Sequence, residues 1–94
     1  MRWVLYKDDV FTPVSIKATT IEEAVRAGLT IAKEILGSIS KYCVWEGDGD
    51  ILLEFWHDKE LSVKLIYSSD PARTLLRFYE GEKSGTVKCR KAEG

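Results

Sequence analysis

The chain has 94 residues, with 14 Lys+Arg against 15 Asp+Glu and a formal charge of −1. It therefore carries no global attraction to nucleic acid or anionic membranes, and any such binding must come from a local patch. The length suits one domain over residues 1–94, large enough to fold without an obligatory metal or disulfide.

Arg2 to Lys7 reads as a strand around Trp3-Val4-Leu5-Tyr6, Asp8-Asp9 as a turn, and Val14-Ser15-Ile16-Lys17 as a second strand. Pro13 lacks an N–H, so any pairing between the two lies at an edge or across an irregular loop. The opening Met1-Arg2-Trp3-Val4-Leu5 runs into Tyr6-Lys7-Asp8-Asp9 without a signal-peptide apolar region, and no run approaches a membrane span. A cytoplasmic protein with no membrane contact is expected.

The clearest element is a helix from Thr20 to Leu36. Ile21, Ala24, Val25, Gly28, Ile31, Ala32 and Ile35 recur at three- and four-residue steps and form its buried side. Glu22, Glu23, Arg26, Thr30, Lys33 and Glu34 occupy the solvent side. Thr20-Ile21-Glu22-Glu23 predicts a reciprocal cap, with the Thr20 hydroxyl on the Glu23 N–H and the Glu23 carboxylate on the Thr20 N–H. Gly37 is placed to end the helix in a left-handed conformation. One helix cannot close a core alone, so its apolar side requires a sheet.

Five strand candidates follow: Lys41 to Glu46, Asp50 to His57, Leu61 to Tyr67, Arg73 to Tyr79 and Thr86 to Arg90. Their short connections predict an antiparallel meander. Asp48-Gly49 is a type I′ hairpin signal that pairs Tyr42 with Phe55, Val44 with Leu53 and Trp45 with Leu52. A loop of Asp58, Lys59 and Glu60 then sets Phe55 opposite Val63, Leu53 opposite Leu65 and Ile51 opposite Tyr67, with Glu54 opposite Lys64 on the other face. Ser68-Ser69-Asp70-Pro71 is the next turn, after which Thr74, Leu76 and Phe78, then Val87 and Cys89, continue the face that covers the helix. The expected class is α+β: a single long helix on a curved antiparallel meander, in the order β(β)αβββββ. That outline resembles the cystatin-type grip of a helix by a sheet, in topology only, and no functional residue carries over.

This alternation places Cys43 on the outer face and Cys89 on the inner face, on the first and last strands of the meander. Four strand spacings separate them by about 19 Å, well beyond disulfide reach, so two free thiols are predicted unless the sheet closes into a barrel. The two are too few for a zinc module. Asn and Gln are absent although 31% of the chain is charged, a thermophile-like composition in which a cytosolic disulfide would not be anomalous.

Trp45, Leu52, Ile66 and Leu75 line up on the face away from the helix, with Trp56 and Tyr79 near the strand ends. An apolar stripe there predicts a contact surface, a two-fold homodimer burying sheet against sheet with Trp45 as anchor. Cover by the N-terminal hairpin, or by curling of the sheet, is the structural alternative. Arg73, Arg77, Lys88, Arg90 and Lys91, with Lys83 and Tyr79, could instead bind single-stranded nucleic acid, or merely protect an edge strand. Glu46, Asp48, Asp50, Glu54, Asp58 and Glu60 do not follow a calcium-loop spacing and read as turn and surface residues. His57, the only histidine, would be the centre of any acid–base chemistry, but no nucleophile motif accompanies it. Gly81 and Gly85 flank a turn and do not make a phosphate loop. The chain thus reads as a small non-catalytic interaction module without cofactor or metal.

Overall fold

The computed structural model describes residues 1–59, 61–81 and 87–92. In chain order the elements are β1 (Arg2–Lys7), β2 (Val10–Pro13), α1 (Ile21–Leu36), β3 (Lys41–Gly47), β4 (Asp50–His57), β5 (Leu61–Ser68), α2 (Pro71–Tyr79) and β6 (Lys88–Lys91). The six strands form one antiparallel sheet in the order β2-β1-β5-β4-β3-β6. The α+β class is as expected, but the described residues form two helices, which lie on opposite faces of the sheet.

The N-terminal hairpin closes sooner than predicted. Asp8 and Asp9 take φ of 51° and 62°, the double left-handed geometry of a two-residue type I′ loop. That loop sets Lys7 opposite Val10, so the second strand is Val10–Pro13 and not Val14 to Lys17. Pro13 ends an edge strand, where its missing N–H costs nothing.

Helix α1 follows its pattern closely. The Thr20 hydroxyl accepts from the Glu23 N–H at 3.1 Å, and the Gly37 N–H donates to the Lys33 carbonyl at 2.9 Å with Gly37 at φ 89°. The Glu23 carboxylate, however, accepts from the Thr19 hydroxyl at 2.7 Å. That hydrogen bond, first among its causes, holds the Glu23 carboxyl below its usual range. Ala24, Val25, Gly28 and Ala32 are buried, while Ile35 is exposed. The small residues let the helix sit close on the sheet, over Leu53, Phe55, Val63 and Leu65.

The predicted registers of β3 with β4 and of β4 with β5 are found, including Tyr42 with Phe55, Leu53 with Leu65 and Glu54 with Lys64. Asp48 and Gly49, at φ 52° and 85°, make the I′ loop. Beyond β5 the expectation fails, because residues 71–79 form a helix and not a strand. The Asp70 side chain accepts from the Arg73 N–H at 3.3 Å and Pro71 occupies the first turn, the usual residue types for a helix start. Thr74, Leu75 and Phe78 are then buried on one side while Leu76 faces out. The loop expected at 80–85 lies largely outside the described residues, as do Glu60, Lys83 and Thr86.

Because α2 carries the chain across the sheet, β6 reaches the far edge and pairs with β3. Cys89 lies directly opposite Cys43, and the two form a disulfide. The predicted free thiols are thereby corrected. The open-meander estimate assumed three intervening strands, whereas the crossover leaves none.

The outer stripe is not open either. Val4, Trp45, Leu52, Ile66, Leu75 and Phe78 form a second apolar cluster beneath α2, with Trp45 and Phe78 edge to face at 5.9 Å. Neither the N-terminal hairpin nor curling of the sheet provides this cover. A polar network fastens the helix: Ser68 Oγ meets Thr74 Oγ1 at 2.6 Å, and Thr74 donates to Asp50 at 2.7 Å. Among the described residues, no helix is long and apolar enough to cross a membrane.

Candidate functional site

Directly opposed residues of an antiparallel pair project from the same face. The registers of β6, β3 and β4 set Lys91 opposite Lys41 and Lys41 opposite Trp56, which makes one row on the α2 side of the sheet. The row lies at the end of the sheet that α2 does not cover. It opens on a hollow of about 830 Å³ lined by Ser40, Lys41, Trp56, His57, Asp58, Lys59 and Lys91. The Lys41 ammonium stands 5.1 Å from the centre of the Trp56 ring, a cation–π contact that keeps the cation at the mouth. The indole Nε1 of Trp56 is buried with no hydrogen-bond partner.

Around this hollow the described residues supply Lys41, Lys59 and Lys91 against one carboxylate, Asp58, while Lys88 and Arg90, opposite Val44 and Tyr42, project from the α1 face of the same edge. All four residues of β6 are exposed. The local balance is thus strongly positive although the whole chain is not, which favours an anionic ligand.

His57 sits at the rim with an apparent serine–histidine–aspartate geometry. Its Nδ1 is 3.0 Å from Ser38 Oγ and its Nε2 is 3.6 Å from an Asp58 carboxylate oxygen. The same Nδ1, however, lies 2.9 Å from the Ser38 carbonyl oxygen. A carbonyl only accepts, so Nδ1 carries the proton and donates to it, and has no lone pair left to activate the hydroxyl. His57 fastens the segment after α1 to the end of β4 and is not a base for Ser38.

The sequence-derived candidates divide. Trp45, Leu52, Ile66 and Leu75 are interior residues, and Trp56 alone of that set reaches the hollow. Of the basic set, Lys88, Arg90 and Lys91 are all on β6, but Lys91 alone borders the hollow, Lys88 and Arg90 lying on the α1 face opposite Val44 and Tyr42. Arg77 is on α2, paired with Asp48 at 3.2 Å and Asp50 at 3.5 Å, with its guanidinium over Trp45. Arg73 is exposed on the first turn of the same helix. The acidic run also separates: Glu54 is buried against Lys64 at 2.9 Å, and Asp48 and Asp50 hold Arg77. Among the described residues no three potential ligands converge on a metal position. Lys41 and Lys59 escaped the sequence reading. The β3–β4 register already put Lys41 beside Trp56, but its pairing with Lys91 depended on where β6 lands.

Comparison with known proteins returns no matching family model, no matching curated protein and no matching solved structure.

Proposed function

We propose that this chain is a non-catalytic binding module for single-stranded nucleic acid, with the Trp56 hollow and the edge strand β6 as its contact face. The observation that carries the reading is the Lys41–Lys91 pair. Like charges directly opposed on a sheet repel, at a cost of roughly 0.2–1 kcal/mol, and here both border one hollow with Lys59. A phosphate seated between them turns that repulsion into attraction. Trp56 offers a ring on which a base can stack once Lys41 swings to the phosphate, and such platforms tolerate any base. Edge protection by lysine explains exposed cations on β6, but it does not explain Lys41, Lys59 and a tryptophan converging at the end of that edge.

The test is a titration of a labelled single strand with the oxidised chain at several salt concentrations. Affinity should fall with salt, with a log–log slope of about −0.7 for each phosphate neutralised. No binding at low salt removes the reading. The absent Asn and Gln support a thermophile source, in whose cytoplasm a disulfide is not anomalous.

A second reading is a homodimer, no longer through the predicted sheet face around Trp45, Leu52 and Ile66, which α2 covers, but through α2 itself, where Leu76 and Tyr79 are 56% and 54% exposed three residues apart. Light scattering decides it, and a monomer at micromolar concentration removes it.

A further inference from the structure

We propose that the Cys43–Cys89 disulfide is a redox clasp. It holds the basic edge strand β6 on β3, and its reduction frees β6 and takes the ligand face apart. The regulatory half rests on the nucleic-acid reading above; the clasp itself does not.

Strand β6 is poorly held by anything else. It has four residues, all exposed, and within the sheet it pairs with β3 alone. It contributes no buried apolar side chain, and its flanks Val87 and Ala92 are only partly buried. One of its four cross-strand pairs, Lys91 with Lys41, is repulsive, and Lys88 faces the apolar Val44. Against this, the disulfide joins positions 46 residues apart. It closes a loop that contains β4, β5 and α2, so it ties the edge to a part of the chain with its own packed layers. Those layers contain neither β6 nor the disulfide, and the fold around Trp45 and Phe55 does not need the clasp in order to persist.

The chemistry requires a dithiol reductant. Cys89 is exposed and Cys43 is buried, so a thiolate of the dithiol attacks Cys89 Sγ. The Sγ–Sγ bond breaks and the electron pair leaves on Cys43 Sγ, which takes up a proton. The second thiol of the reductant then resolves the mixed disulfide. Two electrons and two protons have passed to the protein, and the reductant has become a disulfide. Lys91 departs from the hollow with β6, leaving Lys41 and Lys59 as the described cations beside Trp56, and Lys88 and Arg90 leave the opposite face of the edge with it.

The test is residue-resolved amide hydrogen exchange on the full chain, with and without a dithiol, alongside binding of a labelled single-stranded oligodeoxynucleotide. On reduction the amides of residues 88–91 should exchange at least about tenfold faster while those of β4 and β5 keep their protection. Oligonucleotide affinity should weaken by about tenfold or more. Unchanged exchange on β6 overturns the clasp, and so does equal loss of protection on β4 and β5, because that is global unfolding. Release of β6 with unchanged affinity overturns the regulatory half. If the oxidised protein fails to bind the oligonucleotide, the functional reading falls while exchange still decides the clasp.

Discussion

Replacing Lys91 by Met should raise stability and weaken binding, two effects of opposite sign from the loss of one charge. Methionine keeps an unbranched apolar stem on the strand and removes only the charge. Lys91 lies directly opposite Lys41, so the variant relieves a like-charge cross-strand contact worth roughly 0.2–1 kcal/mol. For a domain of this size that gain is a rise of roughly 1–8 °C in Tm, and added salt should shrink the difference because both side chains meet solvent. In anisotropy titrations the same substitution should cost affinity at low salt and make the salt slope shallower by about 0.7, one phosphate contact on a single strand. Lys17→Met, in the exposed segment before α1, is the control and should change neither quantity. A lower Tm for Lys91→Met would refute the opposition of the two lysines. An unchanged salt slope would refute the hollow as the anion site.

Three further outcomes follow from the packing. The buried Glu54–Lys64 pair, at 2.9 Å with Tyr6 and Tyr79 rings on either side, should show strong coupling: Lys64→Met alone should cost about 3–5 kcal/mol, whereas the double variant with Glu54→Leu should return near or above wild type. Denaturant melts of the four proteins measure this, and additive effects would show that the pair is solvated. Burial pushes the Lys64 ammonium down, but hydrogen bonds with Tyr79 and Glu54 outweigh it and raise it above its ordinary 10.5. Its stabilising contribution is therefore complete at and below neutral pH and is lost as pH climbs through that raised value; alkaline melts should show a loss that Lys64→Met lacks. Gly28→Ala should destabilise, because a Cβ there would stand 2.5 Å from Phe55 Cζ and 2.9 Å from Leu65 Cδ1. Overpacking of roughly 1–3 kcal/mol exceeds the ~1 kcal/mol that alanine gains in helix propensity, and a higher Tm would mean that α1 sits further from the sheet.

Much of the fold was written locally. Thr20 and Gly37 mark the ends of α1, and Asp48-Gly49 sets the β3–β4 register to the residue, because one hairpin geometry suits that dipeptide. The alternation of Leu53 and Phe55 with Leu65 and Val63 then sets β5. The second helix was legible too, in Asp70-Pro71 and in Thr74, Leu75 and Phe78 at helical spacing. A strand reading of Thr74, Leu76 and Phe78 competed with it over only nine residues, and such short apolar runs satisfy both periods. The continuous runs Ile51-Leu52-Leu53 and Leu65-Ile66 were a further sign, since strands covered on both faces lose clean alternation.

The binding corner was less legible because its members come together through long-range choices. Trp56 and Lys41 were already in register across one hairpin, but the charge that makes their neighbourhood anionophilic arrives on β6. The sequence by itself determined α1, its caps, three of the strands and their registers, all of which depend on residues a few positions apart. The tertiary structure alone decided that α2 covers Trp45, that β6 lands on β3, and that Cys43 meets Cys89. Those outcomes follow from which crossover best buries two apolar faces of one sheet, a global competition that no local spacing records.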